Sequence, residues 1–184
     1  MTEVRHSLHH RLVERLGERK GDALYTFLAC LLALAVSGLA AYLFRQPLLF
    51  PSLGPTALLF FERPMMATSS PRNALIGHSV AILAGALSLA LFGLLDDPSI
   101  LAEDATPARI GAGALSVALT GALLLLLDAS HPPAGATTLI VSLGFLQTPP
   151  EWAALMAGVV VLTATGLSIN RLSGVPMSSW SAGN

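Results

Sequence analysis

Two short proline-containing stretches carry the residue types that could handle a small polar solute in an otherwise apolar chain. The first reads QPLLFPSLGPTALLFF over residues 46–61, and the second reads ASHPPAGATTLIVSLGFLQTPP over residues 129–150. Interior prolines remove backbone donors and interrupt a helix, so each stretch leaves room for one short helix, over 55–61 and 134–147, entered through extended backbone. The hydroxyl side chains and glycines at these breaks are Ser52, Gly54, Thr56, Ser130, Gly135, Thr137 and Thr138.

The start of a helix offers polar chemistry that needs no charged side chain. Its first backbone N–H groups have no partner within the helix, and the helix dipole places roughly half a positive charge there. Two such starts that face each other predict a site for a small anion. Gly54 and Gly135 would let the backbone approach the ligand, and the neighbouring hydroxyls would donate hydrogen bonds. The alternative is that the breaks only allow helices to pack.

The rest of the chain predicts helices that span a membrane. Hydrophobic residues make up 53% and charged residues 11% of the 184 residues. A soluble protein has roughly 25% charged residues, so this chain has too few charges for a soluble surface. Four charge-free runs have the length of about 20 residues that a bilayer-spanning helix needs. These runs are residues 23–44, 73–95, 110–127 and 152–170.

Two histidines and an aspartate are candidates for binding or transferring protons. His131 precedes the paired prolines, and an ionisable group at membrane depth is a functional candidate that titrates near neutral pH. The alternative is that His131 fixes the turn through a hydrogen bond to Asp128. His78 lies inside an apolar run, where we favour a packed, hydrogen-bonded histidine. We predict His131, His78 and Asp128 as the candidates for proton coupling.

The two broken segments align when the sequence is shifted by 81 residues. Both follow the pattern P-x-x-G-x-T-x-L, in which Pro51 corresponds to Pro132 and Thr56 to Thr137. Further matches are Gly77 with Gly158 and Gly85 with Gly166. The alignment predicts two copies of a unit made of helix, broken segment and helix. If every segment crosses the bilayer, three crossings per unit place the second unit upside down, as in many transporters.

The positions of lysine and arginine predict that both chain ends are cytoplasmic. With six crossings, eight basic residues lie inside and two outside, against seven and three for four crossings. The positive-inside rule therefore favours six crossings of an inner or plasma membrane. The eight inside residues are Arg5, Arg11, Arg15, Arg19, Lys20, Arg63, Arg72 and Arg171.

Other functional classes lack the residues that they need. Half of the ten basic residues precede residue 21, so no basic stripe for nucleic acid runs through the fold. Cys30 is the single cysteine and cannot form an internal disulfide or a thiolate metal site alone. Paired acids, a Ser-His pair and an HExxH motif are all missing at membrane depth. We therefore predict no enzyme activity, no metal and no cofactor.

The sequence resembles the HPP family of integral membrane proteins in three stretches. They read DASHPPAGATTLIVSLGF, LLFPSLGPTALLFF and SSPRNALIGHSVAILAGAL, and the likeness covers about residues 23–170. Members of that family have been associated with nitrite transport across plastid and cyanobacterial membranes, so the resemblance implies nitrite or a similarly small anion as substrate. The family is usually described with four spanning helices, whereas the pattern of runs gives six crossings. By motif, the resemblance marks His131, Pro132 and Pro133, followed by Gly135, Thr137 and Thr138.

The sequence thus predicts an all-α integral membrane protein with two inverted-topology repeats, each consisting of a helix, a broken short segment and a helix. Residues 6–20 predict an amphipathic helix in the headgroup layer, with a frayed polar tail as the alternative. The predicted divisions are a cytoplasmic amphipathic segment (1–22), repeat 1 (23–95), an acidic external loop (96–109), repeat 2 (110–170) and a C-terminal tail (171–184).

The predicted function is membrane transport of a small monovalent anion, with nitrite as the first candidate. Helix faces rich in small residues predict a homo-oligomer, with a dimer favoured. Two alternatives stay open. One is a transporter or channel for another small solute, such as formate, a halide or a neutral acid, and the other is a membrane scaffold or sensor that transports nothing.

Overall fold

The computed structural model describes residues 7–178 and 180–181, and within them every regular element is helical. Residues 1–6, 179 and 182–184, which include Arg5 and the ends of the predicted N-terminal segment and tail, lie outside the described residues. The helices are α1 (Leu8–Leu16), α2 (Glu18–Phe44), α3 (Leu53–Glu62), α4 (Pro71–Leu91), α5 (Pro107–Leu126), α6 (Ala134–Ser142) and α7 (Pro149–Leu172), with a 3-10 turn at Ala67–Ser69.

Four of these helices, α2, α4, α5 and α7, are long and apolar enough to cross a membrane. Their mean hydropathies run from 1.8 to 2.3. α3 is a shorter apolar helix of 10 residues, and α6 has 9 residues. The predicted all-α integral membrane fold is confirmed.

Hydroxyl caps followed by proline begin three of the four spanning helices. Ser70 accepts a hydrogen bond from the backbone N–H of Asn73, and Thr106 accepts one from that of Arg109. At α7, the Glu151 carboxylate accepts from both the N–H and the hydroxyl of Thr148. Such caps satisfy the free donors of a first turn. The charge-free runs therefore started two to three residues too late, because a first turn can hold a charged residue at the membrane edge.

The N-terminal segment is divided by Gly17 instead of forming the single predicted helix over residues 6–20. Gly17 has a φ of 81°, which an L side chain rarely adopts. The chain turns there and α1 packs back against the start of α2. The contact is close, because a Cβ built on Gly21 would lie 2.7 Å from Cα of Val13.

Both short helices differ from the predicted ranges for local reasons. α3 begins at Leu53, so Pro55 lies inside its first turn, where a missing N–H removes no helical hydrogen bond. α6 ends at Ser142, five residues before the predicted end. Gly144 has a φ of 83° and packs against Ser99 and Arg109, which stops the helix.

Contacts between the helices fix their relative directions. The Gln147 side chain just before α7 donates to the carbonyls of Leu94 and Asp97 just after α4, so the start of α7 lies beside the end of α4. After α7, the Trp180 carbonyl accepts from the N–H of Arg72 at the start of α4. α4 and α7 are therefore antiparallel.

The short helices follow α4 and α7. α6 runs along α4, since His131 lies against Gly77 and Val141 lies against Gly85. In the same way α3 runs along α7, with Leu53 against Gly158 and Phe60 against Gly166. Because α4 and α7 are antiparallel, α3 and α6 run in opposite directions.

These contacts repeat at the offset found in the sequence. α3 and α6 begin 81 residues apart, at Leu53 and Ala134, and α4 and α7 end 81 residues apart. A Cβ built on Gly85 would lie 2.7 Å from Cβ of Val141, and one built on Gly166 would lie 2.8 Å from Cδ2 of Phe60. The two glycines, Gly85 and Gly166, are 81 residues apart, and so are their partners, Phe60 and Val141. The matched contacts support two equivalent units, and their placement on opposite sides of a membrane stays a prediction.

Arg72 ties the start of α4 to the end of α5. Its guanidinium donates to the carbonyl of Asp128 at 2.8 Å and to that of Leu127 at 3.2 Å. A cation here satisfies free carbonyls at a helix end and opposes the negative end of the helix dipole.

We expect Arg72→Gln to lower the free energy of unfolding by about 1 kcal/mol, because these bonds are solvent-exposed and such groups contribute less than buried charged hydrogen bonds. Thermal unfolding in detergent, followed by gel filtration, measures the change. The matched control is Arg63→Gln, since Arg63 is exposed and its guanidinium makes no hydrogen bond within the described part of the chain. Equal losses for the two variants would contradict the assignment.

Candidate functional site

His78 of α4 joins the first turns of the two short helices. Its Nδ1 lies 2.6 Å from Oγ1 of Thr137, and its Nε2 lies 3.1 Å from Oγ1 of Thr56. The two threonines hold the fourth position of α6 and of α3, and they correspond at the offset of 81 residues. All three side chains are completely buried. The structure thus brings the two predicted breaks together across one imidazole ring.

His131 lies directly beside this trio. Its Nε2 is 3.3 Å from Oγ1 of Thr56, and its Nδ1 is 2.8 Å from the carbonyl oxygen of Thr68. The ring centroids of His131 and His78 are 5.1 Å apart. Gly77 leaves the space that His131 occupies, because a Cβ there would lie 2.8 Å from Cβ of His131. Thr56, His78, His131 and Thr137 are called the histidine–threonine cluster below.

Asp128 does not take part in this cluster. It is exposed and has a φ of 46°, and its carbonyl accepts the hydrogen bond from Arg72. The alternative in which Asp128 fixes the turn by bonding His131 is therefore wrong, because both His131 nitrogens have other partners. The packed, hydrogen-bonded interpretation of His78 agrees with its two contacts, although these partners include predicted site residues.

The backbone donors at the two helix starts are already used. The N–H groups of Leu53 and Gly54 donate to Phe50 and Pro51, and those of Ala134, Gly135 and Ala136 donate to His131, Pro132 and Pro133. The turn before each helix bends its carbonyls onto the first amides. The expectation of free amides is therefore corrected, and the polar groups left to meet a solute are mainly side chains.

Gly54 and Gly135 border open space. A Cβ on either would meet nothing within 4 Å, so neither glycine is required for helix packing. Gly135 lines an open-sided cavity of about 340 Å³ at α5 and α6, together with Thr120, Ser130 and His131, and the exposed α5 side chains of Val117 and Leu125 form part of its wall. This space is called the α5–α6 cavity.

A second cavity, of about 350 Å³, separates α3 from α6. Pro55 and Glu62 line it on the α3 side, and Pro132 and Pro133 line it on the α6 side. Pro132 therefore borders both cavities. Ser52 is buried, and its Oγ has no hydrogen-bond partner in the described structure. Of the predicted substrate-site residues, Thr56, His131 and Thr137 lie in the cluster. Ser130, Pro132, Pro133 and Gly135 line a cavity, whereas Ser52, Gly54 and Thr138 line neither cavity.

Four hydroxyls form a row between α5 and α6, of which only Thr138 was predicted as a site residue. Thr120 donates to Thr138 at 3.0 Å, and Thr138 donates to the carbonyl of Ala81. One turn away, Ser116 Oγ is 2.9 Å from Ser142 Oγ. The available signal was the four-residue spacing of Ser116 and Thr120 on α5 and of Thr138 and Ser142 on α6, which places the two hydroxyls of each helix on one face. We call these four side chains the hydroxyl row.

The hydroxyl row belongs to the second unit alone. The positions 81 residues earlier hold Ala35, Leu39, Ala57 and Phe61. The histidine–threonine cluster, in contrast, draws one threonine from each unit. Both units therefore contribute to the histidine–threonine cluster, whereas only the second unit contributes to the hydroxyl row.

The histidine–threonine cluster has no carboxylate, lysine or arginine side chain among its members. Within residues 7–178 and 180–181, no hydrogen bond or ion pair links a carboxylate, lysine or arginine side chain to either imidazole. The same residues contain no group of three or more His, Cys, Asp or Glu side chains that could hold a metal. Such an arrangement can bind a small solute by hydrogen bonds and can pass protons.

Comparison with known proteins identifies a family for the chain. The family model described as "HPP, transmembrane region" matches residues 17–178, from just before α2 to beyond the end of α7. No curated protein and no solved structure matches the chain.

Proposed function

Because this chain belongs to the HPP transmembrane-region family and is a multi-pass membrane protein, we propose that it transports a small monovalent anion, with nitrite as the first candidate. The observation that carries this proposal is the histidine–threonine cluster. Two broken helices meet there at buried polar side chains, in a membrane domain that is otherwise apolar. Buried polar groups in a bilayer are costly and mark solute pathways.

The polar groups around the cluster suit a small anion. Hydroxyls and imidazole N–H groups can donate hydrogen bonds, and no carboxylate among the described residues contacts the cluster to repel an anion. The α5–α6 cavity of about 340 Å³ can hold a small anion with some of its water, since one water takes about 30 Å³, whereas the cavity between α3 and α6 is lined by Glu62 and suits an anion less well. A site without fixed charge binds weakly, which allows release.

The two antiparallel short helices supply a route for movement. Transporters built from inverted repeats expose one central site to each side in turn. In this protein the pairs α3 with α7 and α6 with α4 are the units that would move. The proposal includes an inner or plasma membrane location, cytoplasmic chain ends and a homo-oligomer, with a dimer favoured.

Nitrite uptake into liposomes tests the function. Liposomes containing the purified full chain are expected to take up nitrite faster than empty liposomes at every pH from 5 to 8. Formate, chloride and nitrate are added as competitors of labelled nitrite. A solute that lowers the uptake of labelled nitrite more strongly than the same concentration of unlabelled nitrite becomes the preferred substrate candidate. Uptake equal to that of empty liposomes throughout this pH range would refute transport of nitrite.

Gly135→Leu separates a transporter from a scaffold. The new side chain has room at its Cβ and projects toward the α5–α6 cavity, so we expect a folded protein whose nitrite uptake falls by about tenfold, as expected for a loss of about 1.4 kcal/mol at the site. Gly38→Leu is the matched control, because a Cβ there meets only Leu49 at 3.8 Å. Gel filtration checks folding. A folded Gly135→Leu protein with normal uptake would contradict the site.

A further inference from the structure

The contacts of Thr56 assign a direction to the hydrogen bonds of the histidine–threonine cluster. A carbonyl oxygen only accepts, so the contact with Thr68 places a proton on Nδ1 of His131. In the neutral ring Nε2 is then an acceptor, and the Thr56 hydroxyl donates to it. The Thr56 oxygen accepts from Nε2–H of His78, whose Nδ1 accepts from the Thr137 hydroxyl. Every member has a partner in this order.

The same atomic positions also allow a second arrangement of hydrogen bonds, in which the cluster carries one more proton. Oγ1 of Thr56 also lies 3.1 Å from the carbonyl oxygen of Ser52. When a proton binds Nε2 of His131, the Thr56 hydroxyl turns to Ser52, and its oxygen accepts from both imidazoles. All hydrogen bonds are again satisfied. Thr56 is therefore a two-position switch between an acceptor on His131 and an acceptor on its own helix.

His131 is the ring that can take this proton. Protonation of His78 at Nδ1 would require the Thr137 hydroxyl to find another acceptor, and His78 is the only partner that the described residues give it. His131 also lines the α5–α6 cavity, whereas His78 lines neither cavity beside the cluster. A proton would therefore reach the cluster from the α5–α6 cavity, which is also open to a solute.

A proton on His131 leaves a positive charge that the protein does not balance. The charged groups on the helices packed around the cluster lie near the ends of those helices. These groups are Glu62, Arg72, Arg109, Glu151 and Arg171. None of them bonds an imidazole in the described structure, and the other titratable group in contact with His131 is His78. An unpaired buried charge is costly, so the balancing charge must come from a ligand.

We infer that the anion binds in the α5–α6 cavity together with one proton on His131, so that transport is coupled to one proton and carries no net charge. This inference rests on the proposed function and names its coupling. The substrate class is then the conjugate base of a small acid. The proton comes from water on one side, occupies Nε2 of His131 with the anion beside it, and leaves to water on the other side. No covalent bond to the protein forms or breaks apart from this N–H bond.

Paired measurement of nitrite and proton uptake tests the coupling. Liposomes containing the full chain and a trapped pH-sensitive dye receive a nitrite gradient, while potassium and valinomycin set the membrane potential. Empty liposomes give the background from nitrous acid crossing the lipid. We expect one proton for each nitrite and a rate that does not follow the potential. Nitrite uptake that follows the potential without acidification would overturn the coupling and leave the proposed function standing. Absence of nitrite uptake would overturn both.

Substitutions place the coupling at the cluster. His131→Gln keeps hydrogen-bonding groups but removes the ring nitrogen that takes the proton, so the protons taken up for each nitrite should fall by about tenfold or more. The matched control is His10→Gln on α1, where the histidine pairs with Glu14. Unchanged coupling in a folded His131→Gln protein contradicts the inference.

Thr56 provides a second test that does not depend on the folding of the histidine variant. Thr56→Val removes the hydroxyl and keeps the branched shape, so it should uncouple protons from nitrite. Thr56→Ser keeps the hydroxyl and should retain the coupling. Ser168→Ala removes an exposed hydroxyl from α7 and controls for the loss of a hydroxyl alone. Equal coupling in the valine and serine variants would overturn the switch.

Discussion

Replacing Gly85 by alanine is expected to destabilise the protein by about 1–3 kcal/mol, the usual cost of overpacking. The new Cβ would lie 2.7 Å from Cβ of Val141 and 3.1 Å from the carbonyl oxygen of Thr138. A Cβ and a backbone carbonyl cannot rotate away, so α6 would have to move from α4. The same change at Gly166 meets the edge of the buried Phe60 ring at 2.8 Å, and we expect a loss of similar size.

Gly38→Ala is the matched control for both glycines. Its Cβ would meet only Leu49 at 3.8 Å, an ordinary contact, and alanine favours a helix over glycine by about 0.5–1 kcal/mol. Unfolding midpoints in detergent should therefore rise or stay equal for Gly38→Ala and fall for Gly85→Ala and Gly166→Ala. If the three variants unfold at the same midpoint, the close contacts between the short and the spanning helices are not those described.

Asn170→Ala is expected to cost about 2–4 kcal/mol of stability, because it removes one amide that serves three helices. The Tyr25 hydroxyl of α2 donates to its Oδ1 at 2.5 Å, and its Nδ2 donates to the Phe60 carbonyl of α3 at 3.0 Å. Phe60 is among the last four residues of α3, whose carbonyls lack helical partners. The variant leaves the Tyr25 hydroxyl and the Phe60 carbonyl buried without a partner, and each such group costs about 1–3 kcal/mol. Interhelical hydrogen bonds in bilayers average only about 0.6 kcal/mol.

A double-mutant cycle measures this network. Tyr25→Phe should cost less than Asn170→Ala, because it breaks one of the two bonds and leaves the Phe60 carbonyl paired. The double variant should lose less than the sum of the two single losses, since groups in one network are not additive. Ser168→Ala, on the exposed face of α7, should be close to neutral. Additive losses for Tyr25 and Asn170 would show that the two side chains act independently.

Much of the architecture follows from local signals in the sequence. Charges and length locate the four spanning helices, because a bilayer requires long apolar runs. Pro51 and Pro132 locate the two breaks, because proline interrupts a helix in any context. The helix ends were less accurate, since the hydroxyl caps of α4, α5 and α7 allow a charged residue in the first turn, and the positive φ of Gly144 depends on its packing.

The arrangement of the site required the fold. Thr56 and Thr137 were predicted from the repeated motif, and the structure joins them through His78, which is 22 and 59 residues away from them in the chain. Contacts of that range depend on how α4 packs between the short helices, and no local pattern fixes this. The use of the helix-start amides likewise depends on the turn that precedes each short helix.

The hydroxyl row has a consequence for the energetics of the predicted pair of units. Two identical units would give two access states of equal energy, and such a carrier would rest equally open to either side. Here α6 is bonded to α5 through Thr120 and Thr138 and through Ser116 and Ser142. No side-chain hydrogen bond joins α3 to α2 within the described residues. The two halves therefore differ in the hydrogen bonds that hold their short helices, so we expect the two access states of the proposed carrier to have unequal energies and the protein to rest mainly in one of them.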